Sequence, residues 1–146
     1  MSVISEGEQN AMKSFGLQDL GQYQASGLQN VVEEASPHQL IQMLLDGGLD
    51  RIATARAQIA QGDIAGKGLS IGRAIAIVDG LRVSLDHSHS RQLSENLESL
   101  YEYMMDRLSN ANLTNDVGTL EEVESLLGRI RDAWTQVAPV QTTSAA

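Results

Sequence analysis

The sequence predicts an all-α protein: an antiparallel up-down four-helix bundle with an additional short N-terminal helix or strap. Three observations carry this. Apolar residues recur at three- and four-residue intervals through four long stretches. No stretch has the strict apolar/polar alternation of a half-buried strand. Turns of a few residues join the long stretches, so successive helices run side by side in opposite directions. At 146 residues, one domain of this size buries roughly 70% of its unfolded surface and needs no staples.

Residues 1–16 mix Ser, Gly, Glu, Gln and Asn with few large apolar groups, so a flexible tail is expected. The bundle domain is placed at 17–138. Its first part, Leu17 to Val32, has partial helical spacing in Leu17, Leu20, Tyr23, Leu28, Val31 and Val32. Gly21 and Gly27 interrupt that spacing, which suits a short helix or strap lying on the bundle.

The first long helix is expected at 36–61. Ser36 can accept from a free N–H of the first turn, and Gln39 can reach back to the Ser36 N–H, which makes a capping box. Pro37 falls at the first helical position, where its missing N–H costs nothing. Leu40, Ile41, Leu44, Leu45, Leu49, Ile52, Ala55 and Ile59 form the core stripe of a helix about 36 Å long. Gly47 and Gly48 sit in its middle, and each should cost ~1 kcal/mol relative to alanine. Two things could offset them: close packing of a neighbouring helix, or close approach of a partner's backbone.

Gly62 ends this helix, and Asp63 is a suitable N-cap for a second at 64–86. Its expected core stripe is Ile64, Ile71, Ala74, Ile75, Val78, Leu81 and Leu85. Gly68, Gly72, Ala76 and Gly80 recur every four residues beside that stripe, a seam where another backbone can come close. His87 to Ser90 reads as a polar loop. A third helix at 91–112 carries Leu93, Leu97, Leu100, Tyr101, Met104, Leu108 and Ala111 on one face. Asn112 to Asp116 is turn-forming. A fourth helix at 116–137 carries Leu120, Val123, Leu127, Ile130, Trp134 and Val137. Its glutamates come early and its arginines late, the order the helix dipole favours. Pro139 stops it, and 139–146 is expected to be a flexible tail.

Composition removes several function classes. There is no cysteine, so disulfide scaffolds, zinc–thiolate sites and cysteine nucleophiles are excluded. Net charge is −9, and the ten basic residues are scattered, which argues against nucleic acid and against anionic membrane. No apolar run approaches the ~18 residues of a membrane span. The N-terminus has no basic and apolar leader pattern, so the expected location is the cytoplasm.

No catalytic residue, cofactor or metal site emerges. Glu-x-x-His, the signature of a carboxylate-bridged di-iron bundle, does not occur. His87 and His89 supply two ligands on a loop, and a solvated turn is the simpler account. His38 sits in a first helical turn, as a capping-region histidine rather than a phosphoacceptor. Tyr101 and Met104 fit the core, and Trp134 is expected to anchor the end of the bundle. Glu98, Glu102 and Asp106 form a like-charged row on a solvated face.

What remains is binding. Met43 and Gly47 on the first helix, and Leu69, Gly72, Ala76, Gly80 and Val83 on the second, exceed what one core stripe needs. With Leu44 and Gly48 beside them, they make the expected binding groove. Such surface needs a cover, and an amphipathic peptide laid between helices is the physical class it suggests. The alternative is a generic helical adaptor that covers its groove by self-association, as a homodimer when free.

Several runs together are similar to one family. They are A-S-P-H-Q-L-I-Q-M-L-L-D-G from Ala35, Q-G-D-I-A-G-K-G from Gln61, and A-I-A-I-V-D-G-L from Ala74. N-L-E-S-L-Y-E-Y-M-M-D-R-L-S-N-A-N from Asn96, N-D at 115–116 and E-E-V-E-S-L-L-G-R-I-R-D-A-W from Glu121 complete the set. In order and spacing they resemble the flagellar secretion chaperones, the FliS family, over about Tyr23 to Val137. The resemblance implies a cytosolic, non-enzymatic helical protein without cofactor. It implies binding of the disordered C-terminal region of flagellin, which wraps the bundle through the groove and is kept from polymerising. It also implies delivery to the cytoplasmic domain of the flagellar type III export gate. The N-terminal segment, with Leu20, Tyr23 and Val31, would cap the groove and dock at the gate. Two positions depart from the family pattern. Leu45 stands where an aromatic residue is frequent, and H-S-H-S-R stands at 87–91 where a glycine-rich turn is usual.

Overall fold

A computed structural model of the chain describes residues 35–88 and 90–137, which form four α-helices. They are α1 (Pro37–Gln61), α2 (Ile64–Val83), α3 (Arg91–Thr114) and α4 (Val117–Gln136). No strand occurs among the described residues. α1 packs on α2 and α4, and α3 packs on the same two, so the helices close into a ring. This is the expected four-helix bundle. The expected N-terminal strap and both tails lie outside the described residues.

The helix ends follow the capping chemistry written in the sequence. The Gln39 N–H donates to Ser36 Oγ at 3.1 Å, and the Ser36 N–H donates to Gln39 Oε1 at 2.8 Å, with Pro37 opening the helix. Gly62 closes α1 with φ 77°, a left-handed conformation that costs glycine nothing. Asp63 accepts from the Gly66 N–H, Ser90 from the Leu93 N–H, and Asp116 from the Gly118 N–H. α2 stops at Val83, short of the expected 86. Its end tightens as the Leu85 N–H turns to the Arg82 carbonyl, three residues back. α3 runs on to Thr114, whose hydroxyl donates to the Asn110 carbonyl, before Asn115 turns left-handed at φ 57°.

The core is one apolar cluster drawn from all four helices. Leu45, Ile52, Ile71, Val78, Met104, Leu108, Leu120, Val123 and Leu127 are fully enclosed in it. Three stripe positions differ from expectation by being exposed. Ile64, Leu93 and Val137 are exposed, because they stand at helix ends beyond the reach of the neighbouring helices. On α2, Ile77 is buried while Ile75 is only partly so. Wedged between α1 and α3, α2 turns its 70–74–77–81 face inward.

Polar ties close the bundle at both ends. His38 in the first turn of α1 stacks on Trp134 in the last turn of α4, the anchoring role expected of the tryptophan. At the other end Lys67, only 5% exposed, donates to the Asn112 carbonyl at 2.7 Å and to its Oδ1 at 3.0 Å. Those bonds join the first turn of α2 to the last turn of α3. Arg56 of α1 lies 3.1 Å from Glu124 and 3.5 Å from Glu121 on α4. Its aligned bond runs from Nη2 to Glu124 at 3.3 Å, while its enclosed Nε is close to the carboxylate without hydrogen-bond geometry. No described helix is long and apolar enough to cross a membrane.

Candidate binding groove

α1 and α2 are the most extensively packed pair, and Gly48 stands where α1 meets both α2 and α4. A Cβ built on Gly48 would stand 3.0 Å from Leu127 Cδ2 and 3.4 Å from Ile77 Cγ2. The place of a Gly48 side chain is taken by Leu127 of α4 and Ile77 of α2. At Gly47 the same test finds only Ile77 Cδ1, at an ordinary contact distance of 3.6 Å. The two glycines therefore do different things. Gly48 lets three helices meet, and Gly47 leaves a shallow place on the outer seam.

The expected groove divides along the same line. Leu69 is 59% exposed, and a Cβ on Gly72 would meet nothing within 4 Å. Met43, Gly47, Ala76 and Val83 are partly buried. These six give an outer surface along α1 and α2 in which Met43, Leu69 and Val83 stand among the small residues Gly47, Gly72 and Ala76. Leu44, Gly48 and Gly80 belong elsewhere: Leu44 is 6% exposed, and both glycines are buried. They point toward the bundle axis and support the groove from beneath. Leu20, Tyr23 and Val31 lie outside the described residues.

Sequence reasoning passed over three neighbours. Ile77 is the buried isoleucine against which both Gly47 and Gly48 pack. Arg51 and Arg73, both partly buried, flank the seam. Helical spacing does not set these two apart, since Arg56, Arg107 and Arg131 equally lack an acidic residue three or four positions away. A further hollow of about 780 Å³ opens along α1 and α4, where Asp46, Asp50 and Glu124 face Arg131 between Gly47 and Gly128.

On the far side, α3 and α4 are laced by charge. Tyr103 Oη–H donates to Glu122 at 2.6 Å, and Arg107 Nε–H donates to it at 2.9 Å. The Tyr103 hydroxyl, and then the Arg107 guanidinium, hold the Glu122 carboxyl below its ordinary range. Asp116 is lowered by the Thr119 hydroxyl first, and by the Gly118 N–H after it. Arg82 reaches Asp79 at 2.9 Å and Glu98 at 3.5 Å, which offsets part of the acidic row on α3. These contacts stitch helices together and converge on no cleft. Among the described residues no three His, Cys, Asp or Glu side chains gather as a metal site. His89 lies outside the described residues.

A family model described as "Flagellar protein FliS" matches residues 19–141. The flagellar secretion chaperone FliSB of Pseudomonas aeruginosa is 41% identical over 124 residues, 85% of this chain and 98% of that protein. The flagellar secretion chaperone FliS of Salmonella typhimurium is 44% identical over 118 residues, 80% of this chain and 87% of that one. The FliS of Bacillus subtilis is 37% identical over 108 residues, 74% and 80% respectively.

Proposed function

This chain belongs to the FliS family of flagellar proteins, and we propose that it is a flagellar secretion chaperone whose substrate is flagellin. It binds the disordered C-terminal region of flagellin in the cytosol, prevents polymerisation there, and delivers the complex to the cytoplasmic domain of the type III export gate. The family is one of chaperones and not of enzymes.

The observation that carries this reading is the family match across the whole bundle, from residue 19 to residue 141. The α1/α2 seam supplies the physical means. Exposed Leu69 beside open Gly72 offers apolar contact and room for a second backbone. A disordered segment that folds on binding loses about 2–5 kcal/mol of the gross interaction energy to ordering, and a long wrapped surface compensates. Masking of this kind needs no nucleotide, because it only has to compete with self-assembly. Release at the gate needs a second contact, and the N-terminal segment with Leu20, Tyr23 and Val31 is the candidate for it.

Calorimetry against a peptide of about 40 residues from the C-terminal end of the same organism's flagellin tests the reading. Submicromolar one-to-one binding with a strongly negative heat-capacity change is expected. Absence of heat at several temperatures overturns it.

A further inference from the structure

Nineteen acidic residues surround ten basic ones in this chain, so every cation has carboxylates to choose from. Most described cations have chosen. Arg56, Arg82, Arg91, Arg107 and Arg131 each hold a carboxylate. Lys67 holds Asn112. Arg129 is unpaired but exposed on α4, where water serves it. Arg51 and Arg73 are different: both are partly buried, and no ion pair or hydrogen bond holds either guanidinium among the described residues. Asp50, adjacent to Arg51 in sequence, projects about 100° further round the helix and does not pair with it.

Two contacts between α1 and α2 fix where these arginines stand. Gly47 lies against Ile77, and Ser70 Oγ–H donates to Gln58 Oε1 at 2.7 Å. Arg51 is one helical turn beyond Gly47, and Arg73 is one turn before Ile77. In antiparallel helices both therefore fall at the same level, between those two contacts. Arg73 follows Gly72, whose outer side is open, and stands one turn from exposed Leu69. That register brings the two cations to one level of the α1/α2 seam.

We infer that Arg51 and Arg73 together bind an aspartate or glutamate side chain carried by the amphipathic segment that occupies the α1/α2 groove. This rests on the chaperone reading above and adds the chemistry by which the groove sets the register of its substrate. Arginine forks match carboxylate geometry and tolerate partial burial better than lysine does. The groove continues past the pair in both directions, toward Met43 and Val83 on one side and Leu69 on the other. A segment therefore passes through, and its anion at this level is a side chain rather than a chain end. Apolar contact alone is tolerant of sliding. One charged anchor amid small and apolar residues is not, because a shift of one turn strands the carboxylate.

The test uses the full chain and the flagellin C-terminal peptide named above. R51Q, R73Q and the double variant are titrated with that peptide at low and high salt, with thermal melts as a control on folding. Each single variant is expected to bind about tenfold more weakly at low salt, with the difference shrinking as salt rises. A series of peptides with single Asp→Asn or Glu→Gln changes is then titrated against wild type and the double variant. One position is expected to weaken wild type and leave the double variant unaffected. Gln variants that bind as wild type does overturn the inference and leave the chaperone reading standing. A coupling found only for an amidated peptide C-terminus overturns the side-chain assignment. Failure of the wild-type chain to bind the peptide overturns the chaperone reading itself.

Discussion

His38 and Trp134 hold each other by ring and by backbone at once. Their rings stack with centroids 4.8 Å apart and planes 14° from parallel. Trp134 Nε1–H donates to the His38 carbonyl at 3.0 Å, and His38 Nε2 lies 3.1 Å from the Trp134 carbonyl. A carbonyl only accepts, so Nε2 carries the hydrogen. This reciprocal clasp joins the start of α1 to the end of α4. Trp134→Phe keeps an aromatic ring and loses one bond, so a loss of about 1–2 kcal/mol is expected in urea denaturation followed by circular dichroism. Because the chain has one tryptophan, its fluorescence in the wild type reports on this joint alone. A variant as stable as wild type would show that the clasp contributes nothing.

Lys67 makes a second prediction. Lys67→Met keeps the aliphatic stem and removes the donor from the Asn112 carbonyl at the end of α3. Destabilisation of about 1–3 kcal/mol is expected, the cost of an orphaned buried acceptor. Flagellin-peptide affinity should not change, since the lysine is enclosed between α2 and α3. Affinity and melting temperature measured on the same preparation separate the two effects.

The glycines divide into those the fold requires and those it does not. Gly48→Leu should lose several kcal/mol, roughly the penalty of overpacking, because Leu127 and Ile77 fill its space. Gly72→Ala should gain about 1 kcal/mol from helix propensity, with nothing in the way. Gly72→Leu should leave the melting temperature close to wild type and weaken the flagellin peptide. Unaltered peptide affinity in Gly72→Leu would move the substrate off the seam.

Burial pushes the Tyr101 phenol up to about 12. A group raised in the folded state stabilises fully below its unfolded value near 10, and that contribution disappears between about pH 10 and 12. Glu122 and Asp116 have the opposite sign, since both are lowered. Their contribution is complete above the ordinary carboxylate range and fades as pH falls below about 4. Thermal melts across pH should decline at both extremes, and Tyr101→Phe should flatten the alkaline decline only. An alkaline limb identical in Tyr101→Phe would place that loss in some other group.

Deleting residues 1–22 is expected to spare peptide binding and to reduce flagellin export in cells. The proposed function gives binding to the groove and release at the gate to the N-terminal segment. Normal export by the truncated chain would remove that segment from the delivery step.

Local chemistry was the most readable part of the sequence. Ser36, Gln39, Gly62 and Asp63 each act at short range, and each stands at the helix end its chemistry implied. Helix faces were readable to within one flank. Leu44, Gly48 and Gly80 were assigned to the groove and lie in the interior, because periodicity cannot say which neighbour covers a residue beside the core stripe. Lys67 was unreadable for another reason. A lysine between two glycines looks solvated until α3 brings Asn112 to it, 45 residues away. His38 and Trp134 each suggested a role at an end of the bundle. Nothing local could show that they share one joint.

That joint spans 96 residues of sequence. Every other helix pairing in the ring links neighbours in the chain. At ribosomal rates of about 5–20 residues per second, roughly 5–20 s separate the synthesis of His38 from that of Trp134. Over that interval α1, α2 and α3 emerge in turn, and the apolar sides they turn to the core have no α4 to cover them. A member of a chaperone family is thus born with its own apolar surface exposed, and it becomes safe company only when its last helix arrives.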